Sequence, residues 1–214
     1  MRKLFITIIL LCFSIGFSQD NKPTSGKYTA HNKGKMYIYW GGNRDSYTNS
    51  DIHFKGSNYD FTLHDVAAVD RPVGWHVDYI NPAKMTIPQT NFRLGYFIND
   101  HYNISIGVDH MKYVMQNDQT VKIDGSITNS GTTYDGNYAN DDIVLAKDFL
   151  LFEHTDGLNY ENVELRRFDV IFGRKNLHFA VNEGFGAGVL VPRTNTTLLN
   201  NKRYDEFHLA GYGF

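Results

Sequence analysis

Cysteine is almost missing from this 214-residue chain: the only one is Cys12, inside the first apolar run. Once that run is removed no thiol remains. A disulfide scaffold is therefore excluded, and a chain crossing an oxidising compartment has nothing to mispair. An excess of basic charge is missing too. Lys and Arg number 21 against 23 Asp and Glu, a net charge of -2, which offers no basic face for nucleic acid. Beyond residue 15 no apolar run approaches the ~20 residues of a membrane helix. No repeat of fixed period and no low-complexity tract is found. There is no Ser/His/acid arrangement in a recognisable nucleophile context and no histidine spacing typical of zinc.

What is present points to strands. Aromatics make up 14% of the chain, with 14 Tyr and 15 Phe against 2 Trp, and 19 residues are Gly. Such a composition favours β structure over a helical bundle. The N-terminus has the layout of a secretory signal peptide. Arg2 and Lys3 precede an apolar run from Leu4 to Ile15, Gly16-Phe17-Ser18 supplies small residues at a cleavage site, and Gln19-Asp20-Asn21 opens a polar chain. Cleavage is expected after Ser18. Leu10-Leu11 lacks the small residues that precede a lipidated cysteine, so Cys12 belongs to the apolar run. Residues 19–33 form a flexible polar lead-in, and 34–214 a single β domain.

Two hairpins stand out. In the first, Phe92, Leu94, Tyr96 and Ile98 alternate with Asn91, Arg93 and Gly95. Asn99-Asp100-His101 turns the chain, and Tyr102, Ile104, Ile106 and Val108 then alternate with Asn103, Ser105, Gly107 and Asp109. Such period-two patterning gives each strand one apolar and one polar or small face. In the second, the arm 159–172 turns at 173–176 into the arm 177–191. There Leu177, Phe179, Val181, Phe185, Ala187 and Val189 share a face opposite Asn182, Gly184, Gly186 and Gly188. Phe168 and Val170 fall out of phase with Val163 and Leu165, which suggests a bulge near Arg166-Arg167. Further strands are expected at 34–43 and 206–214. The short turns at 99–101 and 173–176 contrast with long polar connections at 44–87, 116–157 and 192–205, the loop asymmetry of an outer-membrane barrel. A half-buried soluble hairpin, as in a lipocalin-like sheet, would alternate in the same way.

In hydrocarbon a sheet can span only as a closed barrel. The expected fold is therefore all-β, an antiparallel up-and-down transmembrane β-barrel. Six strands are counted, fewer than the eight of the smallest single-chain barrels, so the chain is expected to lack a terminal hairpin. In a competing count, Ile52 to Leu63 and Trp75 to Ile80 supply two more strands and Tyr212-Gly213-Phe214 is a terminal aromatic signal. Pro72, Pro82 and Pro88 speak against that count.

The segment Phe92 to Met115, the arm around Gly184-Phe185-Gly186-Ala187-Gly188 and the leader ending Phe17-Ser18-Gln19 resemble small outer-membrane β-barrel proteins of the OmpA/OmpW-like superfamily of Gram-negative bacteria. The resemblance implies a cell outer membrane location, with membrane lipids and barrel-assembly machinery as partners and no cofactor. No short motif defines function in such proteins. On this reading Phe92, Leu94, Tyr96, Ile98, Ile104, Ile106, Val108, Phe179, Val181 and Phe185 face lipid, and Arg93, Asp109, Glu164 and Arg166 form a charge network in the lumen. Three roles follow: a non-enzymatic barrel with external loops, structural or surface-binding; a narrow pore for small solutes; or a rim hydrolase using Asp109-His110, Glu153-His154 and Asp156. The acidic residues Asp135, Asp141, Asp142 and Asp148 lack the spacing of a calcium loop.

Overall fold

The computed structural model describes residues 31–74, 76–81, 88–174 and 177–214. The signal peptide, most of the lead-in, Trp75 and part of the second turn lie outside the described residues. Alternation from Tyr102 onward builds the centre of the larger sheet. Strand β6 (Tyr102–Met115) pairs with β5 (Thr90–Phe97) on one side and β9 (Leu150–Arg174) on the other. Outside these lie β1 (Met36–Gly42) against β5 and β10 (Leu177–Pro192) against β9, with the short β13 (Gly211–Gly213) on β10. All pairings are antiparallel, in the order β1-β5-β6-β9-β10-β13. These are the six strands legible in the sequence, the last much shorter than 206–214.

Among the described residues this sheet does not close. No strand pairs with the outer edges of β1 and β13, and the stretch of β10 before Gly188 has β9 as its single neighbour. The expected bulge is also displaced. Arg166 and Arg167 pair in register with Gly184 and Glu183, and the register shifts instead at Phe179/Ala180, opposite Ile171. Phe168 is not out of phase. It lies in the inward row and packs edge-on against Phe97.

The connections read as polar loops are in fact folded. Strands β2 (Ser50–Lys55), β3 (Tyr59–Val66), β7 (Thr120–Ile127) and β8 (Gly136–Val144) form a second antiparallel sheet in the order β2-β3-β7-β8. One face presents Phe61, Leu63, Ile123, Ile127 and Ile143 to Met115, Phe149, Leu150 and Leu198 from the ends of the longer strands, and these residues form one buried core. The short β4 (Ala68–Val69) pairs with the end of β6, and the hairpin β11 (Asn195–Leu198)–β12 (Asn201–Tyr204) pairs with the start of β9. Its two-residue turn places Leu199 and Asn200 at φ 51° and 64°, as a tight hairpin requires. Leu199 tolerates that backbone because its side chain enters the core.

The opposite face of this sheet is polar. The His64 ring lies between Asp51 and Asp124, 3.0 and 2.9 Å from their carboxylates. The hydrogen bond to Asp51, with that to Asp124, holds its pKa above the ordinary 6.5.

Two outcomes are expected. Ile123→Ala, at a site with no exposure, should lower stability by about 2–5 kcal/mol in denaturant unfolding. The His64 contact stabilises fully below the unfolded pKa of about 6.5 and is lost as pH rises through the higher folded value. Hydrogen-exchange protection of β2 and β3, corrected for intrinsic rates, should therefore decline through that window in wild type but not in His64→Gln.

Candidate functional site

Cross-strand register sorts the large sheet into rows. On the outer face run Met36–Tyr96–Ile104–Leu165–Phe185, then Ile38–Leu94–Ile106–Val163–Ala187, then Trp40–Phe92–Val108–Glu161–Val189–Tyr212. This face is open: Ile38 is 72% exposed, Ile106 59% and Phe185 70%. Of the residues expected to face lipid, Tyr96, Ile98, Ile104, Ile106, Phe179, Val181 and Phe185 are exposed, and Phe92, Leu94 and Val108 are half-buried. Aromatic and charged side chains bound the rows. Tyr102 pairs with Arg167 at the lower side, whose guanidinium lies over the Tyr102 ring, and Glu161 stands at the upper side. Beyond Arg167 the β9–β10 hairpin continues past the β5–β6 turn with Ile171, Phe172, Leu177 and Phe179 exposed.

The inner face has the reverse chemistry. Arg93, Asn103, Ser105, Asp109 and Asn162 are all buried. Arg93 is the hub. Its Nη1 and Nη2 donate to the two oxygens of Asp109 at 2.8 and 2.7 Å, and its Nε and Nη2 donate to Glu164 at 3.0 and 3.1 Å. The remaining Nη1 hydrogen goes to the Phe92 carbonyl at 2.9 Å. Arg166 Nε donates to Glu164 at 2.7 Å, and the Asn162 amide donates to Asp109 at 3.0 Å. Asn91 also donates to Asp109, and Ser105 to Glu164. The structure thus brings together Arg93, Asp109, Glu164 and Arg166. Sequence reading missed Asn91 and Asn162 as members, although both lie in the inward phase.

Glycine makes room for this network. Gly107 lies directly opposite Arg93, and a Cβ there would overlap the arginine side chain. Gly184 and Gly186 stand in the same relation to Arg166 and Glu164, with 2.5 and 2.7 Å to the side chains. Below the charges, Tyr37, Phe97 and Phe168 pack ring to ring, and Tyr37 Oη donates to Asn103 at 2.7 Å.

Above the charges lies a group that the sequence did not signal. The Gln89 side chain has no exposure, and its Nε2 donates to Asp45 at 2.8 Å and Asp70 at 2.6 Å. Burial, with the Asp70 charge adding to it, pushes Asp45 up to about 6. Asp45 follows β1, Asp70 follows β4 and Gln89 precedes β5, so only the tertiary fold unites them.

The rim residues considered for hydrolysis do not form one site. Asp109 is occupied by Arg93, Asn91 and Asn162, and His110 meets Asn159 at 2.9 Å. Glu153 meets Arg71 and Asn195. His154 hydrogen-bonds Thr194 and lies against the rings of Phe152 and Tyr113, and burial lowers its pKa to about 4. Asp156 is exposed. The acidic residues of 116–157 are dispersed: Asp135 accepts from the Ser130 backbone, Asp141 from Ala139, Asp142 pairs with Lys122, and Asp148 accepts from Tyr134. Among the described residues no group of three or more His, Cys, Asp or Glu is arranged for a metal.

Arg93→Met should cost about 3–5 kcal/mol, because buried Asp109 loses its counter-charge and Glu164 keeps only Arg166. Arg93→Lys should recover only part, having three donors for five acceptors. Combining Arg93→Met with Asp109→Asn, which leaves the Glu164–Arg166 pair intact, should restore much of the loss in the same unfolding titration. No protein-family model matches this chain, and no curated protein or solved structure matches it.

Proposed function

We propose that the six-stranded sheet is part of the wall of an outer-membrane β-barrel of the OmpA/OmpW-like kind, carrying the smaller sheet as a folded surface head. Its role is structural or surface-binding rather than catalytic. The observation that carries this reading is the inverted burial of the large sheet: charged and amide side chains inside, Ile, Leu, Val and Phe outside. A soluble sheet gains by the opposite arrangement, since an exposed apolar face of this extent is unfavourable in water. In lipid the same face is matched, and a polar lumen is ordinary.

A lipocalin-like binding protein would line its interior with apolar side chains, against the ion pairs found here. A narrow pore is also less favoured. The inner charges are taken up by one another, and the Tyr37–Phe97–Phe168 cluster fills the lower end. In hydrocarbon the free edges of β1 and of β10 with β13 need antiparallel partners, because an unpaired backbone amide there costs several kcal/mol. A barrel of eight or more strands meets that need. Delivery by barrel-assembly machinery and retention by outer-membrane lipids belong to the same proposal.

Reconstitution tests it. The chain is expected to enter liposomes and resist urea there. Ile106→Arg, on the middle outer row, should cost about 2–4 kcal/mol in lipid, and planar bilayers should show no steady conductance. If the purified chain were monodisperse in buffer without detergent, the reading would fail.

A further inference from the structure

Strand β6 parts from β9 at the upper end of the large sheet. Their pairing ends at Val114 and Glu153, and the Gln116 N–H donates to the Ala67 carbonyl instead, at 3.0 Å. A hollow of about 140 Å³ opens in this fork, with apolar walls from Val114, Met115, Leu151 and Phe152. Cross-strand register sets its polar edge. Glu153 stands opposite Asn195 of β11, and Leu151 stands opposite Thr197, itself opposite Lys202 of β12. Asn117, whose Nδ2 donates to the Leu150 carbonyl at 3.2 Å, borders it from the turn after β6. This edge has hydrogen-bonding capacity to spare. Glu153 Oε1 accepts from Asn195 at 3.0 Å and Oε2 from Arg71 at 3.2 Å, and each carboxylate oxygen has a further lone pair to offer. Among the described residues, Asn117 Oδ1, Asn195 Oδ1 and the Thr197 hydroxyl meet no partner, and the Lys202 ammonium meets only the Tyr204 ring, 4.7 Å away.

We infer that this hollow binds one pyranose unit of a glycan, and that Lys202 selects a hexuronic acid. A protein cavity of about 150 Å³ admits benzene, so the hollow has room for a single six-membered ring. Its apolar walls take the C–H face of that ring. A hydrocarbon ring would strip water from Glu153, Thr197 and the two amides and offer no bond in return, which is unfavourable. A sugar ring carries hydroxyls around its edge, each able to donate and accept, and replaces those waters bond for bond. Glu153 accepts from two neighbouring hydroxyls, the two amide oxygens accept from others, and Thr197 gives or takes. Charge decides the class of sugar. Arg71 offsets Glu153, so Lys202 is the unbalanced charge, and a carboxylate on the ring answers it. As the ligand of a surface head the sugar rests on the reading above, whereas the fork that holds it does not depend on what meets the outer face.

Saturation-transfer NMR tests this on the full chain in a phosphocholine detergent, since maltoside detergents carry a sugar themselves. The probe is methyl β-D-glucuronide. Transfer should saturate with a Kd of about 1 mM, as for a ligand of this size, and methyl β-D-glucoside should bind about threefold more weakly. Cyclohexanecarboxylate, with the same ring size and charge but no hydroxyls, should not bind. Thr197→Trp, which fills the hollow, should abolish transfer, and Glu153→Gln should weaken binding about fivefold. Lys202→Met, at an exposed position, guards against misfolding of the other variants and should bring the two glycosides to equal affinity. Asp142→Asn, on the smaller sheet, should change nothing. Absence of saturable transfer in wild type overturns the inference and leaves the barrel reading standing, since that reading is tested by behaviour without detergent. Unchanged affinity in Thr197→Trp also overturns it. So does cyclohexanecarboxylate or the glucoside binding wild type as tightly as the glucuronide.

Discussion

A guanidinium has five N–H donors in a fixed plane, and buried in this sheet all five of Arg93 are used. Two reach Asp109, two reach Glu164 and one reaches the Phe92 carbonyl. Removing this many charges from water is costly unless each is paired and its hydrogen bonds are made. The rest of the inner face is arranged around that requirement. Asn91, Asn162 and Ser105 satisfy what remains of the carboxylates, Arg166 balances the second one, and Gly107 leaves the volume that the Arg93 side chain fills. The partners come from β5, β6 and β9, so the network exists in one register only. A shift of one residue would turn Arg93 outward and Leu94 inward.

The chain buries its residues in two opposite ways. On the large sheet the apolar side chains are exposed and the polar ones enclosed; on the smaller sheet Phe61, Leu63 and Ile123 are enclosed and His53, Asp60 and His64 are outside. Strand β6 passes between the two regimes. Ile104 and Ile106 are exposed on it, whereas Met115, at its end, is buried in the head core. The register shift between Met111 and Tyr113 marks the changeover. Outward residues Ile104, Ile106 and Val108 are followed by His110, which pairs with Asn159 rather than meeting an apolar surface.

The large antiparallel sheet was legible because its signal is local. Alternation from Phe92 to Ile98 and from Tyr102 to Val108 needs no knowledge of distant residues, and the phase assigns Arg93 and Asp109 to one side. The head was not legible because its core is assembled from far apart. Leu63, Ile123, Ile143 and Leu198 each directly follow a Thr, Lys or Asp, and no one segment carries more than a few of the core residues. Phe168 misled for a different reason: an aromatic residue in the inward row was taken as a slip in phase, when it packs on Phe97. Asp45, Asp70 and Gln89 gave no signal, since nothing in their separate neighbourhoods says that one amide will bridge two carboxylates.

Strand β9 runs unbroken for 25 residues, pairing with β11 of the head at one end and with β6 and β10 of the wall along the rest. At ~3.3 Å per residue that is roughly 80 Å, far more than one bilayer leaflet pair requires. A single ribbon is shared by both parts, and the register shift opposite Met111 and Tyr113 lies between them. Any tilt of the large sheet is therefore carried through β9 to the β11 hairpin and the core residues Leu150 and Phe152 beside it.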